Sequence, residues 1–154
     1  MGFLRGGGAR SLRLLATGAL AVAVIGTVHA TDSFVVVVNA SVAGATVHRA
    51  DLAAVFLKKA VRWGDGSPAV PVDQSGTSHV RKDFSEAVLH MPVMAVVQYW
   101  GRQLISMAAS VRPPTVKGSD GEVLVYVAKT SGAVGYVSSG TPLPPGVKAV
   151  TVVD

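Results

Sequence analysis

Five consecutive apolar residues, Phe34-Val-Val-Val-Val38, constrain this chain more than any other feature. The run is β-branched and does not alternate with polar residues. It therefore reads as a strand covered on both faces, as parallel sheets require. The segments after it alternate between strand and helix signals. Asn39 to Thr46 is rich in small residues and reads as a loop. Leu52, Val55 and Phe56 recur at helical spacing, and Lys58-Lys59 closes that helix. Gly64 to Pro68 is a turn cluster, and Ala69–Asp73 is a short strand. Val80, Phe84 and Val88 lie on one face of the next helix, and Pro92 suits the first turn of the one after, which carries Val93, Val96, Val97 and Trp100. Arg112-Pro113-Pro114 breaks the chain. Ser119 with Glu122 is a capping box opening a helix with Val123 and Val127. Ala133–Val137 and Val147–Val153 are the last two strands. This order predicts an α/β domain, a largely parallel sheet covered by helices. It also predicts that 34–38, 69–73 and 133–137 are neighbours in one sheet.

The first thirty residues have a different logic. Arg5, Arg10 and Arg13 precede the uncharged apolar run Leu14 to Val28, which ends at Val28-His29-Ala30. A basic segment, an apolar run of about fifteen residues and a small-x-small site make a cleavable export signal. The run is short for a membrane span, which needs about 20 residues. Residues 1–30 are thus expected to be a signal peptide. Residues 31–154 are expected to be one periplasmic or secreted domain beginning near Thr31. No adjacent arginine pair precedes the run, so the twin-arginine route fits poorly. The chain has no cysteine, which excludes a lipoprotein anchor, a disulfide and thiolate chemistry.

Composition narrows function mostly by exclusion. The 154 residues are 49% hydrophobic and 15% charged, too apolar for a disordered chain. The net charge of +5 comes from 14 basic and 9 acidic side chains. Without Arg5, Arg10 and Arg13 the balance is 14 − 3 = 11 against 9, or +2, which argues against a nucleic-acid partner. His48, His79 and His90 are isolated, so no metal site is expected. No G-x-S-x-G elbow or general acid–base pair is present, so neither an enzyme nor a cofactor is expected.

One segment carries candidate chemistry: Val70-Pro-Val-Asp-Gln-Ser-Gly-Thr-Ser78. A strand enters a tight loop, and the loop enters a helix. Backbone N–H groups in a first helical turn lack intrahelical partners and face partial positive charge. Gly76 allows close approach of a ligand, and Ser75, Thr77 and Ser78 add hydroxyls. Arg81, one turn in, could supply a charge-assisted hydrogen bond. Asp73 could accept a proton from a protonated oxyanion, favouring hydrogen phosphate over sulfate. The ligand would be a small oxyanion. A Ser-Gly-Thr loop is equally the ordinary chemistry of a helix cap. The second helix start, Gly118 to Glu122, carries its own acids and reads as structural.

Four stretches, taken in order, resemble the periplasmic substrate-binding protein of bacterial phosphate ABC transporters. They are Phe34 to Asn39, Asp51 to Lys58 with Trp63, Asp73 to Ser78, and Gly118 to Gly121 with Gly132 to Val137. The resemblance implies one lobe of a type II periplasmic binding protein, with phosphate or a similar oxyanion at Asp73, Ser75, Gly76 and Thr77. It also implies an ABC-transporter permease or a second protein lobe as partner. Two departures stand out. The family places an Arg two residues before the Asp, where this chain has Pro71. The roughly 124 residues after Ala30 leave little room for the family's first lobe. The alternative is a single-lobe relative that has lost its ligand and acts as a protein-interaction module.

Overall fold

The computed structural model describes residues 33–106 and 111–154. The export signal and the cleavage site before Thr31 lie outside the described residues. Strand β1 (Phe34–Asn39) leads through a short loop to β2 (Thr46–His48) and helix α1 (Arg49–Phe56). Strand β3 (Val70–Gln74) then enters α2 (His79–Phe84), which runs on into a π-helical turn over Ser85–Leu89. Helix α3 (Val93–Ser106), β4 (Thr115–Lys117), α4 (Asp120–Lys129), β5 (Ala133–Ser138) and β6 (Val147–Val153) complete the order.

The strands form one six-stranded sheet in the order β2-β6-β1-β5-β3-β4. The three predicted neighbours β1, β5 and β3 are adjacent. Pairs β2–β6, β3–β5 and β3–β4 are parallel, whereas β1 is antiparallel to both β5 and β6. Five strands therefore run one way and β1 alone opposes them. The expected largely parallel sheet is found, with its most apolar strand reversed in the middle. Burial on both faces explains the Val run either way, because apolar content reports coverage and not direction.

Alternation along β1 divides the core. Val36 and Val38 join Leu52, Phe56, Phe84 and Trp100 on the face covered by α1, α2 and α3. Val37 joins Val72, Val137, Val123, Leu124 and Val127 on the face covered by α4. Gly135 in β5 permits that second packing: a Cβ there would lie 2.7 Å from Val123 and 2.8 Å from Val72. Strand β2 starts at the last residue of the expected loop and β4 directly follows the Arg112-Pro113-Pro114 break; neither is among the expected strands. Each has three residues, too few to show a period of two. Within α3, Val96 and Trp100 are buried, whereas Val97 is exposed.

Candidate functional site

The loop following β3 is built on a buried polar cluster. Strand β3 pairs with β5 only through Val70 and Pro71. Beyond Pro71, side chains replace the backbone ladder. Gln74 Nε2 donates to the Tyr136 carbonyl at 2.9 Å and to Asp120 Oδ1 at 2.8 Å. Its Oε1 accepts from the Ser78 hydroxyl at 2.8 Å. A buried amide so fully partnered locks the strand end in place.

Asp73 is buried beside it. Its carboxylate accepts from the Gln74 N–H at 2.8 Å and from the Tyr136 hydroxyl, and it pairs with Arg81 Nη1 at 2.8 Å. The same Nη1 donates to the Gln74 carbonyl. Tyr136 in turn stacks on Phe84 with centroids 4.0 Å apart. Burial pushes the Asp73 carboxyl above its ordinary value, outweighing the Arg81 charge and the donors from Tyr136 and Gln74. Burial, together with the Asp73 charge, raises the Tyr136 phenol.

Arg81 thus has a different partner from the one expected. The sequence reading aimed it at an anion; the structure buries its guanidinium against Asp73 and the end of β3. Helical side chains lean toward the N-terminus, so a residue one turn into α2 reaches back to β3. A buried carboxylate there needs a counter-charge. Asp73 likewise turns inward and not toward an incoming ligand. Ser78 caps α2: its hydroxyl accepts from the Arg81 N–H at 3.3 Å while donating to Gln74.

Ser75, Gly76 and Thr77 remain together at the surface. The Ser75 and Thr77 hydroxyls are 3.1 Å apart. The Ser75 N–H donates to the Lys117 carbonyl at 2.9 Å, tying the loop to β4, and the Ser78 N–H closes the turn onto the Ser75 carbonyl at 2.9 Å. Among the described residues, none accepts a hydrogen bond from the N–H of Gly76 or Thr77. The loop borders a depression of about 370 Å³ lined also by Lys82, Glu86, Pro92 and Val93. Lys82 lies 3.8 Å from Glu86, so part of its charge is already met. A second concavity of about 390 Å³, lined by Val38, Val47, Val55 and Trp63, shares no residue with the loop. Among the described residues, no group of three or more His, Asp or Glu side chains could hold a metal ion.

Sequence reasoning missed Gln74, Tyr136 and Asp120 as parts of this cluster. The sequence marks Asp120 only as a helix-terminus acid. Its carboxylate instead accepts from the Ser138 N–H at 3.1 Å, from Thr141 at 3.3 Å and from Gln74, joining the ends of β3 and β5. Burial works to raise its pKa, but the Ser138, Gln74 and Thr141 donors outweigh it and hold the carboxyl below the ordinary value. The only signal was a polar residue following each apolar strand. The capping box at α4 is real but displaced: Ser119 accepts from the Glu122 N–H at 3.3 Å, while the Glu122 carboxylate takes the Gly118 N–H at 2.8 Å.

A reversed strand inside an otherwise parallel sheet, helices on both faces and a polar loop at the ends of the parallel strands define the fold of this domain. Solved structures share that fold. The chain is similar to an ABC-type phosphate transport receptor from Vibrio cholerae, with a TM-score of 0.60 and 19% identity over 79% of this chain and 46% of the other. It is also similar to PstS from Borrelia burgdorferi, with a TM-score of 0.58 and 13% identity over 79% of this chain and 47% of the other. The chain therefore spans less than half the length of these structures. At such identity the likeness establishes the fold. No protein-family model matches the chain, and no curated protein matches it.

Proposed function

We propose that this protein is an extracytoplasmic binding protein for a small oxyanion, phosphate foremost, held by the loop Ser75–Ser78. The observation that carries the reading is the exposed set on that loop: two hydroxyls 3.1 Å apart beside the unpartnered N–H groups of Gly76 and Thr77. Two neighbouring hydroxyls, one donating to the other, and two free N–H groups on one short loop suit a tetrahedral anion. The polar cluster beneath supports them. It anchors Gln74, just before the loop, and Ser78, at its end, so the donors are held in place before a ligand arrives. Asp73 and Arg81 have a supporting role in this reading, setting the loop from behind.

Phosphate is favoured because the structural neighbours include a phosphate transport receptor. Affinity should fall below that of a two-lobed receptor, since the loop offers one side of a site and Pro71 has neither charge nor N–H. A second lobe or a transporter permease would be the partner that completes it. The test is calorimetric titration of the purified protein with phosphate and with sulfate, alongside Thr77→Val. That variant keeps the shape of an exposed side chain and removes one donor. A hydrogen bond to a charged group is worth about 1.5–3 kcal/mol, so phosphate binding should weaken roughly tenfold to a hundredfold while the melting temperature is unchanged. Neither heat nor amide shifts at Ser75–Ser78 in millimolar phosphate would make the loop a helix cap only, and the interaction-module reading would replace this one.

A further inference from the structure

The concavity beside Trp63 lies toward the other end of the sheet from the oxyanion loop. Val38 of β1 pairs with Val134 and Lys148, at the starts of β5 and β6, whereas that loop follows the end of β3. The cavity holds about 390 Å³, at the small end of the roughly 300–1,000 Å³ of ordinary small-molecule pockets. Its floor is Val38, Val42, Val55 and Val150, exposed to only 1%, 6%, 2% and 8%. A protein interior leaves few voids larger than a water molecule, so an opening of this size above four packed valines is a shaped feature. Trp63 stands in the wall, its indole Nε1 tied to the Gly132 carbonyl at 3.0 Å. The exposed residues that border the opening include Asp51, Asp65 and Arg62.

We infer that this cavity binds a small organic cation, its apolar body on the valines and Trp63 and its ammonium group at Asp51 and Asp65. The site is separate from the oxyanion loop and does not rest on the oxyanion reading. The lining chooses the occupant. Four valines and an indole call for an apolar body. The bordering charges choose the head group. Among the described residues, the Asp51 carboxylate has no hydrogen-bond or ion-pair partner. Asp65 Oδ1 accepts from the Ser67 N–H at 2.8 Å and from the Ser67 hydroxyl at 2.6 Å, which leaves Oδ2 for a ligand. Those two donors hold the Asp65 carboxyl below its ordinary value, so it is charged at neutral pH. Arg62 is the one Lys or Arg side chain in the lining, and its Nη1 already donates to the Gly66 carbonyl at 2.8 Å. Two carboxylates against one committed guanidinium attract a cation and repel a carboxylate or a phosphate. An aromatic ring beside two acids is also the chemistry that retains an ammonium group. A metal ion fits poorly, because among the described residues no group of three His, Asp or Glu side chains could hold one.

Titration of the purified protein near neutral pH with 2-phenylethylamine, 2-phenylethanol and 3-phenylpropionate tests this. The three probes share an aromatic body and differ in the charge of the head. The Trp63 indole N–H resonance, assigned with Trp63→Phe, reads the cavity wall directly. A ligand of this size should bind with a Kd of about 1 mM, so the titration runs to about 10 mM. The expected result is a saturable shift of the Trp63 indole and the Val47 amide with the amine, and binding roughly tenfold weaker for the propionate. The doubly substituted Asp51→Asn, Asp65→Asn chain should bind the amine about fivefold more weakly and the alcohol as before. Both residues are exposed, and Asp65→Asn keeps an acceptor for Ser67, so the melting temperature should hold. An amine that leaves the Trp63 indole unmoved, equal affinity for all three probes, amine shifts confined to Ser75–Ser78, or a double variant that binds the amine as well as the native chain would each overturn the inference. Phosphate is read at the Ser75–Ser78 amides and the amine at Trp63, so the failure of either reading is seen apart from the other.

Discussion

Two aspartates of the polar cluster behind the loop are pushed in opposite directions. Asp73 is raised above 3.8 by burial, and Asp120 is held below 3.8 by donors from Ser138, Gln74 and Thr141 that outweigh its own burial. Their contributions to stability therefore have opposite signs. Asp73 binds its proton more tightly when folded. Stability from it rises as pH falls from its raised value toward 3.8, and its ionised form is the costly one above that. Asp120 binds its proton less tightly when folded. It stabilises above 3.8, and that contribution disappears as pH falls through its lowered value. Carboxyl carbon NMR against pH should give an Asp73 midpoint above 3.8 and an Asp120 midpoint below it. Coincident midpoints would mean that the cluster is solvated and the loop is not held from behind.

The elements join where backbone meets backbone closely. Gly132 enters β5 at φ 75°, and its carbonyl accepts from the Val70 N–H at 3.1 Å and from Trp63 Nε1 at 3.0 Å. A Cβ there would lie 2.0 Å from the Pro68 carbonyl oxygen. Gly132→Ala therefore has to force the entry of β5 away from the turn at Pro68. Overpacking of this kind costs typically 1–3 kcal/mol, and the left-handed backbone adds to it. Urea unfolding should show a lower midpoint with an unchanged slope. An unshifted midpoint would show that the Pro68 turn yields freely and does not clamp β3 to β5.

Across the whole domain, one sheet carries two clusters of unequal size. The face under α1, α2 and α3 holds most of the aromatics, whereas α4 covers a smaller face made largely of valines. Both depend on β1 and β5, so neither can open alone without exposing the sheet. Val127→Ala, in the smaller cluster, should remove roughly 2 kcal/mol. It should also shift the near-ultraviolet signal of Trp63 and Trp100, which belong to the other cluster, together with the far-ultraviolet signal. Separate transitions would show two independent folding units.

The local elements were legible before any tertiary contact was known. The Phe34-to-Val38 run, the Ser119 cap and the strand–loop–helix passage at 70–81 each follow from side-chain period or backbone chemistry within a few residues. So does the placement of Ser75, Gly76 and Thr77 on one loop. Three further properties depended on the folded chain. The direction of β1 did, because a residue buried on both faces looks the same in either orientation. The partner of Arg81 did, because Asp73, Tyr136 and Gln74 converge only when β3 and β5 lie side by side, with 62 residues between Gln74 and Tyr136. The exposure of Val97 did, because α3 is apolar over most of its circumference, and only the position of the sheet decides which side is buried. Sequence sets what each segment can form; long-range packing sets which of its polar groups are taken and which of its apolar faces are left open.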